Sequence, residues 1–175
     1  MAILGVDDFK SKMRGGGARA NMFKATLNFP TYAGGDVELT SFLCKAAQLP
    51  QSSTGITPIN FRGRELKLAG DRTFENWTVA IFNDTDFAVR DAFERWMNGI
   101  NAHAANTGLT NPVDYQADLL MDQLDRDESV LKRYSFRGAF PVAVGPIEMD
   151  YDTKDVVETF TVEFAYQYWE SNTTS

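Results

Sequence analysis

From Met22 to Phe29 the chain alternates. Phe23, Ala25, Leu27 and Phe29 fall on one side, and Lys24, Thr26 and Asn28 on the other. A period of two fits a half-buried β-strand and excludes a helix, because successive strand side chains point to opposite faces. The pattern returns to the end of the chain. Strands are expected at Met22–Phe29, Leu39–Leu49, Ile56–Phe61, Arg64–Ala69 and Trp77–Phe82, and at 115–124 and 130–140. The last and longest is expected at Val156–Trp169, where Phe160, Val162 and Phe164 continue a dry face against Thr159, Thr161, Glu163 and Gln167. Gln51–Gly55 and Asp125–Ser129 read as polar connections, and Ser171–Ser175 as a frayed tail.

One segment has the other period. In Asp84–Ile100, Val89, Phe93, Trp96, Met97 and Ile100 recur at helical spacing. Asn83 or Asp84 can cap its start, and Arg90–Glu94 and Asp91–Arg95 are i, i+4 pairs on its wet side. A mainly β chain with one flanking helix suggests two packed antiparallel sheets, a sandwich or barrel. The 175 residues amount to one core: a domain over 21–170, preceded by an arm (1–20) and followed by a tail (171–175).

Charge divides the chain. Residues 1–24 carry five basic and two acidic groups, 25–113 seven and nine, and 114–175 five and thirteen, for a net −7. The arm is basic, hinged at Gly15-Gly16-Gly17, with Phe9 and Met13 one helical turn apart. It is either a solvated tail or an arm that docks on an acidic neighbour. So acidic a chain is a poor nucleic-acid binder.

Chemistry is scarce. One cysteine, Cys44, precludes an internal disulfide and reads as a small buried apolar residue, and one histidine, His103, has no nucleophile to serve. Catalytic, metal and cofactor-binding residues are therefore expected to be none. Asp150, Asp152 and Asp155 lack the glycine and glutamate of a calcium loop. Asp118 and Asp122 are a carboxylate pair without a demonstrated cleft. No run of 18 apolar residues exists, so no helical membrane segment is expected, and the start does not read as a secretory signal. A monomeric small-ligand β-barrel remains an alternative of another class. The final strand, free of Pro and Lys, must either be central in its sheet or pair with another subunit.

The segment Leu66–Ile100 carries a resemblance. Ala69-Gly70-Asp71-Arg72-Thr73-Phe74, then Trp77-Thr78-Val79, then Asn83-Asp84 leading into the helix, resemble the tail tube proteins of contractile-tailed phages. Cys44-Lys45-Ala46, Leu49-Pro50 and the aromatic ending Tyr166–Glu170 extend the match over most of residues 20–170. The resemblance implies a tail-tube fold, six copies closed into a ring, and rings stacked into a hollow tube of the virion tail, made in the host cytoplasm. Its implied partners are copies of itself, a contractile sheath, a baseplate and a tape-measure protein. DNA is implied to pass through the lumen without specific binding, which an anionic bore would favour. The tube, or a baseplate-proximal tube piece, of a non-phage contractile injection system is the near alternative. Expected interface residues are Phe9, Met13, Ile56, Ile59, Phe61, Arg64, Asp71 and Arg72, the last two either as a charged pair at a strand turn or as a bridge between subunits. Thr159, Thr161, Glu163 and Gln167 are expected either in the lumen or on a solvent-facing outer sheet.

Overall fold

Nine strands, four α-helices and a 3-10 turn at Arg14–Gly16 make up the described fold, in a computed structural model that describes residues 5–174. The first four residues of the expected arm and Ser175 lie outside the described residues, as does the Arg14 side chain. In chain order the elements are α1 (Val6–Lys12), β1 (Phe23–Leu27), α2 (Val37–Leu43), β2 (Cys44–Ala47), β3 (Ser52–Phe61), β4 (Arg64–Phe74), β5 (Trp77–Phe82), α3 (Ala88–Ile100), α4 (Pro112–Tyr115), β6 (Ala117–Leu124), β7 (Val130–Val144), β8 (Thr159–Ala165) and β9 (Tyr168–Ser171).

All strand pairs are antiparallel, in the order β1-β6-β7-β8-β5-β2 with β9 also on β7, while β3 and β4 pair only with each other. The 15-residue β7 belongs to both halves of the fold. Its residues Tyr134–Arg137 pair with β9, and Phe140–Val144 pair with β8. Between them Gly138 takes φ +61°, where a side chain would also press on Gln116 and Gln167. Asp118 holds the bend: Arg137 Nη1 donates to its Oδ2 (2.6 Å) and the Gly138 amide to its Oδ1 (3.1 Å).

That bend corrects the expected final strand. Val156–Trp169 is not one strand and not the longest. It divides into β8 and β9 at Tyr166–Gln167, each half following its own part of β7, and the Gln167 amide donates to the Arg137 carbonyl across the break (3.0 Å). Val156 and Val157 precede the strand and are exposed. Ser171 is not frayed: it ends β9, is buried, and its amide donates to Thr174 Oγ1 (2.8 Å).

A second correction concerns Leu39–Leu49. Asp36 Oδ1 accepts from the Glu38 and Leu39 amides (2.9 and 3.1 Å), capping α2 and turning the segment helical until Leu43. Leu39 and Leu43, four apart, both pack on the core. Only Cys44–Ala47 remains a strand. Cys44 is half-buried, and burial pushes its thiol up to about 11, which leaves it protonated and unreactive near neutral pH. Gln51–Gly55 also differs from expectation, since β3 begins at Ser52.

The core lies between the two halves of the sheet and α3. Val89, Ala92, Phe93 and Trp96 form the buried stripe of α3. The Phe93 and Trp96 rings stack 6.3 Å apart, and both meet Phe164 of β8 at about 6 Å. The helix begins at Ala88 because Phe87 takes a left-handed conformation (φ 55°), and Asp84 Oδ1 accepts from the Ala88 amide (3.2 Å). Arg90–Glu94 forms as expected (3.1 Å), whereas Arg95 donates instead to the Ala33 carbonyl (2.8 Å).

Across β6 and β7, Arg133 grips Asp122 through two bonds of 2.7 and 2.8 Å. The carboxylate side chain is only 6% exposed, the guanidinium 52%. Arg133→Ala strands a buried charge. It is expected to cost about 2 kcal/mol in urea unfolding. A loss below about 0.5 kcal/mol, the usual range of surface substitutions, would mean that water can solvate Asp122 in place of Arg133.

Candidate assembly surfaces

The strands β3 and β4 leave the body as a ribbon. Phe61 pairs with Arg64 across the two-residue turn Arg62-Gly63, both at positive φ (49° and 80°), the geometry that matches strand twist. Every residue of β3 is exposed. At the root, Phe74 sits 6.1 Å from the Tyr166 ring and 6.5 Å from Trp169. Burial, and secondarily Glu75, pushes the Tyr166 hydroxyl pKa up.

Pairing register gives this ribbon two unlike faces. Thr57, Ile59 and Phe61 lie opposite Leu68, Leu66 and Arg64, so one face is apolar apart from Arg64 and Thr57. The other pairs Ile56, Pro58 and Asn60 with Ala69, Lys67 and Glu65. Phe61 is 67% exposed and Ile59 46%. The register shifts between Thr54 and Ile56, where an added Cβ on Gly70 would come within 3.1 Å of the Gly55 backbone. The glycine of the Ala69–Phe74 motif thus suits the close approach of two backbones.

Asp71 and Arg72 correct one expectation. They lie within β4, not at a turn, and among the described residues they form no ion pair with each other. Phe9 on α1 and Met13 just past its end are exposed, far in sequence from the ribbon.

A second surface is the outer face of the β2-β5-β8 sheet. Trp77, Val79 and Ile81 point to the core, as do Phe160, Val162 and Phe164. Their alternates, Thr78, Ala80 and Phe82, pair with Glu163, Thr161 and Thr159 on the face turned away from it. Three of the four residues expected in the lumen therefore share one sheet face. Gln167 does not, because it lies in the break between β8 and β9. Lys45 covers the Phe82 ring (5.4 Å), and Asn76 Nδ2 donates to Glu163 Oε1 (2.7 Å). Apart from Ala80 and Phe82 this face is polar, with one carboxylate and one ammonium.

Most of the chain's acid lies elsewhere. Glu148, Asp150, Asp152, Asp155 and Glu158 occupy the connection before β8, and Asp125, Asp127 and Glu128 the β6–β7 turn. Asp118 and Asp122 have their oxygens engaged by Arg137, Gly138 and Arg133, so they brace strands and form no free carboxylate pair. Among the described residues no group of three His, Cys, Asp or Glu could hold a metal ion. No helix described is long and apolar enough to cross a membrane. The sandwich interior, where a small-ligand barrel would hold its cargo, is filled by Trp96, Phe93, Phe136, Phe160 and Phe164.

The same arrangement recurs in known proteins. Residues 18–172 match the family model described as phage tail tube protein. The chain is 32% identical over 167 residues to tail tube protein gp19 of Enterobacteria phage T4, covering 94% of this chain and 99% of that one. It is 30% identical over 166 residues to the tail tube protein of Serratia phage KSP90, covering 92% and 93%. Among solved structures, the fold is shared with a chain of the anti-feeding prophage tube-terminating cap (TM-score 0.67, 15% identity, 91% and 92% covered). A chain of the PVC extracellular contractile injection system sheath–tube complex is similar too (TM-score 0.64, 11% identity, 96% and 97% covered). With sequence relatives matched along nearly their whole length, and a fold whose exposed surfaces suit assembly, the chain belongs to the phage tail tube protein family.

Proposed function

We propose that copies of this chain close edge to edge into six-membered rings, and that the rings stack into the hollow tube of a contractile tail. The exposed β3–β4 ribbon is the observation that carries this reading. A two-stranded ribbon with no packing partner is marginal in water, and one with Ile59, Phe61, Leu66 and Leu68 on a single face is a surface to be covered. A second copy, presented repeatedly along an axis, can cover it. The free edges of β1 and β2 at the two ends of the sheet suit head-to-tail pairing, which removes unpaired strand groups on ring closure.

In this arrangement the outer face of β2-β5-β8 lines the bore. Thr78, Ala80 and Thr161 offer DNA no cationic grip, and Glu163 repels phosphate. Lys45 is held over Phe82, balanced by the carboxylate on the same face. DNA therefore passes without a specific site. The role is structural, with no chemical step. The exposed acids of the connection before β8, Glu148, Asp150, Asp152 and Asp155, suit contacts with further partners: sheath, baseplate and tape-measure protein.

Light scattering of the purified protein, followed by negative-stain microscopy, tests this. Rings or hollow filaments with six-fold symmetry are expected as concentration rises. A protein that stays a compact monomer at high concentration would overturn it.

A further inference from the structure

The helix α1 stands off the body. None of its residues is buried, and its apolar stripe lies in solvent, Val6 71% and Phe9 61% exposed, with Met13 beyond. It is joined through Gly15, Gly16 and Gly17, all at positive φ, so its direction can change at low cost. Past that hinge the chain is pinned, because Gln123 Nε2 donates to the carbonyls of Arg19 (2.7 Å) and Met22 (2.8 Å).

Directly after the pinned Met22, Phe23 enters the wall of a groove of about 600 Å³ between α2 and the edge strand β1. Val37, Phe42 and Leu124 complete its apolar lining. Phe42 is 80% exposed, although it sits on a capped, ordered helix. Glu38 and Glu128 add two carboxylates against one cation, Lys24.

We propose that this groove receives α1 of a neighbouring copy. The inference rests on the ring-and-tube reading and names one contact within it. Both surfaces are complete in a single chain, yet they do not meet there. Six residues, Met13–Ala18, link α1 to the pinned Arg19, a reach of about 20 Å at most. A same-chain seat would fold the helix back along the strand that it precedes. A neighbour reaches the groove, walled by β1, the end of β6 and α2, without turning back on its own chain. The fit is chemical as well. A seven-residue helix is about 10 Å long. Its Val6, Phe9 and Met13 face apolar walls, while Lys12 and Lys10, the latter exchanging Asp7 at its 4.0 Å surface contact, meet Glu38 and Glu128, and Asp7 and Asp8 stay in the first turn. Docking orders the hinge on assembly, a cost set against the apolar area removed from water.

Engineered thiols test this in the full chain. Copies carrying C44S/F9C are mixed with copies carrying C44S/F42C, assembled, and oxidised mildly. A two-chain disulfide is expected, and a chain carrying both F9C and F42C should give a multimer ladder. A cross-linked monomer from that double variant would place α1 in its own groove and overturn the assignment, as would the absence of any cross-link in assembled tubes. Independently, F42D and K10E/K12E, both at exposed positions, should need roughly tenfold more protein to assemble, the equivalent of one missing apolar anchor. Assembly at the wild-type concentration by both variants, with wild-type circular dichroism, would also overturn it. If wild-type protein forms tubes in these trials, only the groove assignment falls; if it forms no rings, the tube reading falls with it.

Discussion

Ile59→Asp combined with Phe61→Asp is expected to yield a folded, soluble subunit that no longer grows tubes. The two side chains share the apolar face of the β3–β4 ribbon and are exposed within the chain. Removing them should move the subunit's own stability by less than about 0.5 kcal/mol. If the face is covered by another copy, each lost side chain forfeits about 1.5–3 kcal/mol of burial. The incoming carboxylates add the cost of desolvation without a partner. Two positions per subunit raise the concentration for assembly more than about 100-fold, and the effect is repeated at every subunit of a ring. Sedimentation of tubes against protein concentration reads this directly, with thermal unfolding as the check on folding. Tubes at the wild-type concentration would show that the apolar face is not the contact between rings.

The largest loss of stability is expected from Trp96→Ala. Trp96 is fully buried at the point where α3 meets β8, stacked on Phe93, tilted against Phe164 and edge-on to Phe29. Its Nε1 donates to the Tyr115 carbonyl (2.7 Å), tying α4 to the helix. Truncation opens a large cavity and leaves that carbonyl without its partner. A loss of about 3–5 kcal/mol follows, which for a domain of this size lowers the unfolding temperature by roughly 10 °C. Calorimetry measures it. A shift of only a degree or two would mean that α3 is not part of the cooperative core. The two variants separate the two roles of the aromatic and apolar residues: Ile59 and Phe61 act between copies, Trp96 within one.

Much of this was legible in the sequence wherever the determinant is local. Trp77–Phe82 forms the strand that its β-branched and aromatic residues predict, and Phe160, Val162 and Phe164 point inward as a set. The stripe Val89, Phe93, Trp96 marks the buried side of α3 correctly, although a left-handed Phe87 delays its start. The Ala69–Phe74 motif lay behind the resemblance to tail tube proteins, which the family match bears out. What it missed was the turn of Leu39–Leu43 into a helix, although Asp36 three residues before Leu39 was a readable cap signal.

Tertiary structure decided the rest. Nothing within Val156–Trp169 announces its division into β8 and β9, because the cause is the bend at Gly138, far away in the chain. The Asp122–Arg133 pair exists because β6–β7 register sets the two opposite each other. Ile59 and Phe61 are expected at an interface, with an internal hairpin as the alternative, and alternation alone does not separate the two; the fold leaves this face exposed. Alternation is a property of neighbours along the chain and states only that one face is apolar. Whether that face meets the chain's own interior or another copy depends on what folds against it, and that is set by residues tens of positions away.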